Sequence, residues 1–292
     1  MSLRIQMLQV ARLGALALGD SLPVVRDFLR SCLSENGAGK DRDGNADLYY
    51  TIFALAGLQA LDEALPIDSI RRYLASFETG ETLDFVHLGA LARCWAVVGG
   101  ASPSDATGIL SRLESFRARD GGYDGERGAA HGSVYGGFVA LGAYQDSNAT
   151  MPEPLRLVQS LKFLETPGGS WGNAAGLSMG STNATAAAVT LLHQLEMPVH
   201  ADAGQWLLEQ QHAEGGFLAM PKAPIPDLLS TATTLHALAC LDKSLEPPAK
   251  EKCLDFLDSL WSAEGGFHGH WADDHLDAEY TYYGLLALGH LQ

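Results

Sequence analysis

The stretch "EGGFHGHWADDHLDAEYTYYGLLALGHLQ", residues 264–292, holds the chain's densest set of groups able to move protons or bind a metal. Asp277 and Glu279 stand at the start of a helix-like run, followed within a turn by Tyr280, Tyr282 and Tyr283. A carboxyl enclosed by apolar groups holds its proton to higher pH, which suits it to act as a general acid near neutrality. Glu279 and Asp277 are therefore candidate acids. Asp227, in the same register of an earlier segment, is a third, and Tyr280 is grouped with them. The ring faces of Tyr282 and Tyr283 suit contact with a cationic intermediate. His268, His270, Asp273, Asp274 and His275 lie in the preceding loop at no regular ligand spacing, so a solvated loop is expected there and no metal site.

These residues are placed by a repeat. The turns "GGF" at 265–267 and 215–217, "GSW" at 169–171 and "GGY" at 121–123 align. Ten residues after each aromatic come Asp277, Asp227, Ser181 and Ser133, and four further on Thr281, Thr231, Thr185 and Gly137. Asp47 and Asp84 open two earlier units in the same register. The six units run roughly 24–62, 66–99, 103–147, 152–196, 200–242 and 247–291. In each, an amphipathic helix such as "PPAKEKCLDFLDSLW" precedes a second helix that is small and apolar nearly all round, as in "STNATAAAVTLL". A helix of the second kind is buried on every side. No alternating Val/Ile/Thr run calls for a sheet. The six Asp and Ser residues are N-caps, and they point at one rim of the assembly.

The expected fold is all-α: a single domain, 1–292, forming a closed α/α toroid (an α6-α6 barrel) of six helical hairpins around a central apolar cavity. Closure is favoured over an open solenoid because the chain stops on an apolar inner helix that needs a neighbour, supplied by unit one and an amphipathic N-terminal helix. A net charge of −16 disfavours nucleic acid and anionic membranes as partners. Four scattered cysteines without a CxxC pair argue against a disulfide or cysteine–zinc framework and for a reducing, cytoplasmic setting. No run of about 18 apolar residues would span a membrane.

The GG-aromatic turns and D-x-x-x-T helix starts resemble the prenyltransferase and squalene-cyclase repeat superfamily, most closely the β subunit of protein prenyltransferases. The resemblance implies a toroid whose cavity holds an isoprenoid or isoprenoid diphosphate. It also implies three zinc ligands, an Asp, a Cys and a His, which fall on Asp227, Leu229 and Tyr280. Two of the three are lost, so no zinc and no other cofactor is expected, although a bound diphosphate would call for Mg²⁺. Such a diphosphate would sit on the neutrally capped helix starts near Ser181, Asn183 and Lys222, with His131 and Arg127 beside them. Set against the D-x-D-D-T acid motif of class II terpene cyclases, "DAEYT" keeps Asp277 and Thr281 and puts Glu279 where the central Asp stands.

Two functions of different class stay open. One is an enzyme that carries out zinc-free prenyl transfer or proton-initiated terpene cyclisation. The other is a non-catalytic module that binds an isoprenoid or lipid, or serves as a scaffold. A zinc-dependent protein prenyltransferase β subunit, which needs a partner subunit, fits less well.

Overall fold

A computed structural model describes residues 1–292, and it holds thirteen α-helices. Six of them are thirteen residues each: α3 (Leu48–Ala60), α5 (Phe85–Val97), α7 (Val134–Asp146), α9 (Thr182–Gln194), α11 (Leu228–Cys240) and α13 (Ala278–His290). Each packs on the next and α13 packs back on α3, so the ring is closed. Around it stand α2 (Leu22–Ser31), α4 (Ile67–Ala75), α6 (Pro103–Glu114), α8 (Pro154–Phe163), α10 (Ala203–Leu208) and α12 (Pro247–Leu260). Pro247 and Pro248 open α12, where the missing N–H is one that the first turn leaves unpaired anyway.

All six inner helices start as their caps dictate. Asp47, Asp84, Ser133, Ser181, Asp227 and Asp277 each accept the backbone N–H three residues on, at 2.7 to 3.4 Å. The threonine four residues after the cap has a separate task. Thr185, Thr231 and Thr281 accept the backbone N–H of Trp171, Phe217 and Phe267, the aromatics of the glycine turns. This bond ties each turn to the first coil of its inner helix. Gly215 shows why the turn needs glycine: its φ is +99°, and a Cβ there would meet the Lys252 carbonyl oxygen of α12 at 1.9 Å. Gly265 abuts Val24 of α2 in the same way, which closes the outer layer from unit six to unit one.

Short strands do occur: β1 (Gly39–Lys40) with β2 (Ala46–Asp47), β3 (Glu165–Thr166) with β4 (Ser170–Trp171), and β5 (Phe217–Leu218) with β6 (Pro226–Asp227). Each pair is a two-residue antiparallel contact, β2 and β6 ending on the caps Asp47 and Asp227 and β3–β4 flanking the Gly168–Gly169 turn, so the class stays all-α.

Helix α1 (Leu3–Ala17) belongs to none of the six hairpins. It lies along α13, where a Cβ on Gly289 would meet the Val10 carbonyl oxygen at 1.9 Å, and one on Gly14 that of Leu285. From there it crosses the C-terminal ends of the ring. Arg4 Nε donates to Asp146 Oδ1 (2.8 Å), the Leu3 N–H donates to Gln145, and Gln194 donates to Gln6. The ring is thus closed at that end and open at the capped rim. No single helix is long and apolar enough to cross a membrane.

Candidate active site

The centre of the ring holds a cavity of about 310 Å³ whose wall includes Tyr49, Tyr135, Phe138, Asn183, Leu229 and Glu279, with Thr233, His236 and Tyr283 deeper along the helices and Met7 of α1 beneath. A second lobe of about 90 Å³ shares Tyr49, Tyr135, Phe138 and Tyr283 with it and reaches Arg4, Arg93 and Asp146 at the floor. A larger groove, about 530 Å³, runs between α11, α12 and α13 at the outside of the ring and contains none of the candidate acids. Of those acids, Glu279 lines the smaller, central space.

Glu279 is the one carboxylate side chain in the wall of the main cavity. It sits two residues past its cap, on the first coil of α13. Tyr49 donates its hydroxyl to Glu279 Oε1 at 2.5 Å. Burial pushes the Glu279 carboxyl up, the Tyr49 hydrogen bond pulls it back, nearby Asp277 pushes it up again, and Arg42 opposes; the balance lies at about 7. Its proton is thus held well above the ordinary carboxylate range. The ring edges and faces of Tyr49, Phe53, Tyr282 and Tyr283 pack in sequence beside it, with centroids 5.0 to 6.0 Å apart.

Asp277 behaves differently. One oxygen accepts the Tyr280 N–H and the other accepts Arg42 Nε, both at 2.8 Å. Arg42 also reaches Asp273 (3.2 Å) and lies 5.4 Å from the Tyr280 ring centroid. Asp277 is thereby committed to a cap and an ion pair, and it positions the start of α13 on which Glu279 stands. Asp227 is also occupied: Ser230 donates both its N–H and its hydroxyl to the two carboxylate oxygens, each at 2.7 Å. Burial nonetheless raises its pKa against those bonds.

Not all of the sequence-predicted substrate residues meet at the cavity. Asn183 and Tyr283 line it, and Asn183 is held by a hydrogen bond from Thr233 (2.9 Å). Tyr282, expected at the cavity, is instead fully buried beside Phe53, because one residue's rotation on α13 carries it off the face shared by Glu279 and Tyr283. Ser181 spends its hydroxyl on its own helix cap. Lys222 lies in the β5–β6 loop at φ +68° and is not in the wall. His131 stacks on Phe163 at the end of α8 (4.7 Å), and Arg127 lies over Phe116 (4.6 Å). Neither lies in the wall of either lobe. Of the loop residues, Asp273, Asp274 and His275 bring ligand-type atoms within 4.8 Å of one another, but Asp273 is already bonded to Arg42 and the Gly269 N–H.

A zinc site needs three protein donors around one point. Leu229 offers none, both Asp227 oxygens are taken by Ser230, and Tyr280 lies against Arg42. The residues present do not fit the ion.

Tyr49 and Tyr135 were not singled out by sequence reasoning, yet a signal for them exists. Counted from each cap, the second position of the inner helices is Tyr49, Val86, Tyr135, Asn183, Leu229 and Glu279, and all six line the two lobes. The sixth position is Phe53, Ala90, Val139, Ala187, Thr233 and Tyr283, and these line them too.

A closed ring of six hairpins around a largely apolar chamber, with a buried carboxyl in its wall, defines an α/α toroid. The chain belongs to the prenyltransferase alpha-alpha toroid domain family, whose model matches residues 13–91 and 184–292. Among solved structures it is similar to a variant of the type II terpene cyclase MstE from Scytonema in complex with geranylgeranyl dihydroxybenzoate, at 15% identity and TM-score 0.64 over 96% of this chain and 97% of that one. It is also similar to the Candida albicans protein geranylgeranyltransferase-I complexed with GGPP, at 14% identity and TM-score 0.68 over 90% and 89%. A protein from Actinoplanes matches at 16% identity and TM-score 0.58, over 93% and 98%. No curated protein sequence matches.

Proposed function

We propose that the chain binds an isoprenoid in its central cavity and cyclises it by protonating an alkene with Glu279. The observation that supports this reading most is the environment of Glu279: a carboxyl balanced near neutrality, in an aromatic wall, with one oxygen already bonded to Tyr49. The acidic proton then belongs on Oε2. Its transfer uses the alkene π electrons to form a C–H bond and leaves a cation on the neighbouring carbon. The Tyr49 hydroxyl stabilises the carboxylate that remains, because its hydrogen bond strengthens as charge develops on Oε1. The faces of Tyr49, Phe53, Tyr135 and Tyr283 offer their quadrupoles to the cation.

Zinc-free prenyl transfer is less well supported, because Lys222, Arg127 and His131 all stand outside the cavity wall. At roughly the 30 Å³ that a water-sized group occupies in a condensed phase, 310 Å³ accommodates on the order of ten carbons, and the second lobe a few more. A C10 or C15 chain therefore fits better than C20.

The test is turnover of geranyl, farnesyl and geranylgeranyl diphosphates and of geranylgeranyl dihydroxybenzoate by wild type and E279Q, read by mass spectrometry. E279Q keeps the acceptor for Tyr49 and removes the acid. The expected result is cyclised product from at least one probe with wild type and none with E279Q, while both proteins bind the probe equally. Equal turnover by the two refutes the acid role. Binding without turnover by wild type makes the protein a binding module of this fold.

A further inference from the structure

Cyclisation that starts with a proton must also end with the loss of one, and Glu279 cannot supply both steps from one end of the cavity. His236 stands on α11, nine residues past its cap. Seven residues more than Glu279 on its own helix, at about 1.5 Å per residue, place it about 10 Å deeper. It is part of the cavity wall, only 4% exposed, and its Nε2 is buried without a hydrogen-bond partner. Its Nδ1 lies 3.1 Å from Nε2 of His290, on the last turn of α13. His290 in turn lines the outer groove between α11, α12 and α13, which opens to solvent. Two imidazoles thus connect the inside of the ring to the outside.

An unpaired polar atom buried in an apolar wall costs about 1–3 kcal/mol, so such an atom calls for an explanation. Building on the cyclisation reading, we propose that His236 is the base that ends the reaction, accepting a proton from the carbocation and passing its own to His290. In detail, His236 carries its resting proton on Nδ1 and donates it to His290 Nε2, which leaves the Nε2 lone pair free. That lone pair takes a proton from the carbon beside the cation, and the C–H electrons become the new C=C bond. The imidazolium gives its Nδ1 proton to His290 Nε2, and His290 releases its own Nδ1 proton into the groove. Once the product has left, His236 loses the Nε2 proton to water entering the emptied cavity and takes the Nδ1 proton back from His290. His290 is reprotonated on Nδ1 from the groove, so both resting tautomers return. Glu279 regains a proton from solvent at the rim, so protons balance over a turnover and no co-reactant is needed.

The surroundings suit a neutral base. Burial, together with His193 near the end of α9, lowers the His236 pKa to about 4, and burial and His236 lower that of His290 to about 3. The wall near His236 otherwise carries Thr190, Thr233 and Met7, none of them charged.

Two measurements test the assignment. The first needs no turnover: ¹⁵N NMR of the imidazoles in the unliganded protein at pH 7. The expected result is His236 neutral, with its proton on Nδ1; a proton on Nε2 overturns the proposal. The second compares products from the four probes above for wild type, H236F and E279Q. E279Q should consume none. H236F should still consume the probe, while the wild-type alkene falls by about 100-fold, the scale of a lost general base, in favour of alcohols from water capture or other alkenes. If H236F gives the wild-type alkene in wild-type proportion, His236 is not the base even though Glu279 remains the acid. A wild type that consumes no probe refutes the acid reading and this one with it.

Discussion

Replacing Glu279 by glutamine should make the protein more stable, and only above a definite pH. A glutamate carboxyl in the unfolded chain titrates near 4.5, whereas in the folded ring burial holds it to about 7. Its folded pKa is the higher one, so its contribution is fully present below pH 4.5, is lost as pH rises between 4.5 and 7, and is gone above 7. At about 1.4 kcal/mol per pH unit, the ionised side chain costs the fold about 3 kcal/mol at pH 8. E279Q is uncharged at both extremes, and its amide oxygen accepts the same Tyr49 hydroxyl. Urea unfolding followed by tryptophan fluorescence should therefore find E279Q close to wild type at pH 4.5 and more stable by about 3 kcal/mol at pH 8. Asp227, whose pKa is also raised by burial, is present in both proteins and cancels in the difference. A stability difference that is the same at both pH values would mean that Glu279 titrates in the folded chain as it does in water. The general-acid reading would then lose its physical basis, whatever the turnover assays show.

Three further outcomes follow from the same geometry. In Y49F, loss of a hydrogen bond to a charged oxygen, worth roughly 1.5–3 kcal/mol, should move the alkaline limb of the pH–rate profile up by about one to two pH units and lower the plateau rate; an unmoved limb would rule Tyr49 out as the group that tunes Glu279. G289A forces a Cβ against the Val10 carbonyl, and overpacking of this kind costs about 1–3 kcal/mol, so calorimetry should show Tm lower by several degrees, and an unchanged Tm would mean that α1 does not press on α13 as described. Elemental analysis of protein purified without added metal should find well under one zinc per chain; a full equivalent that disappears in D227A would contradict the donor set at Asp227, Leu229 and Tyr280.

The fold was legible because each unit repeats two local instructions. An Asp or Ser cap and a glycine turn recur at fixed spacing, and both are backbone events that a linear pattern records. The cavity-lining residues are also periodic, since the second, sixth and ninth positions after each cap lie on one face of a helix. Glu279 stands out because it takes the central place in "DAEYT", at the start of an apolar helix. Tyr49 and Tyr135, at the same second position, carry no mark that distinguishes them from core aromatics. What the pattern could not give is which loops turn inward. Lys222, His131 and Arg127 look like a basic cluster in sequence, but Arg127 packs on Phe116, just past α6, and His131 on Phe163 of α8. The Arg42 pair with Asp277 joins unit one to unit six, and the His236–His290 contact joins two caps' worth of helix, so neither can be read within a single repeat.

Helix α1 turns what would be a tunnel into a cup. Its Met7 forms part of the bottom, so the depth available to a guest is set by a side chain outside the sixfold pattern. Capacity can therefore drift without disturbing the ring: trimming one residue on this stopper would admit a longer guest, while every hairpin keeps its caps and neighbours. With a single mouth, the product of the proposed cyclisation would leave by the door through which the next substrate enters. The tighter the bottom grips, the longer that queue becomes.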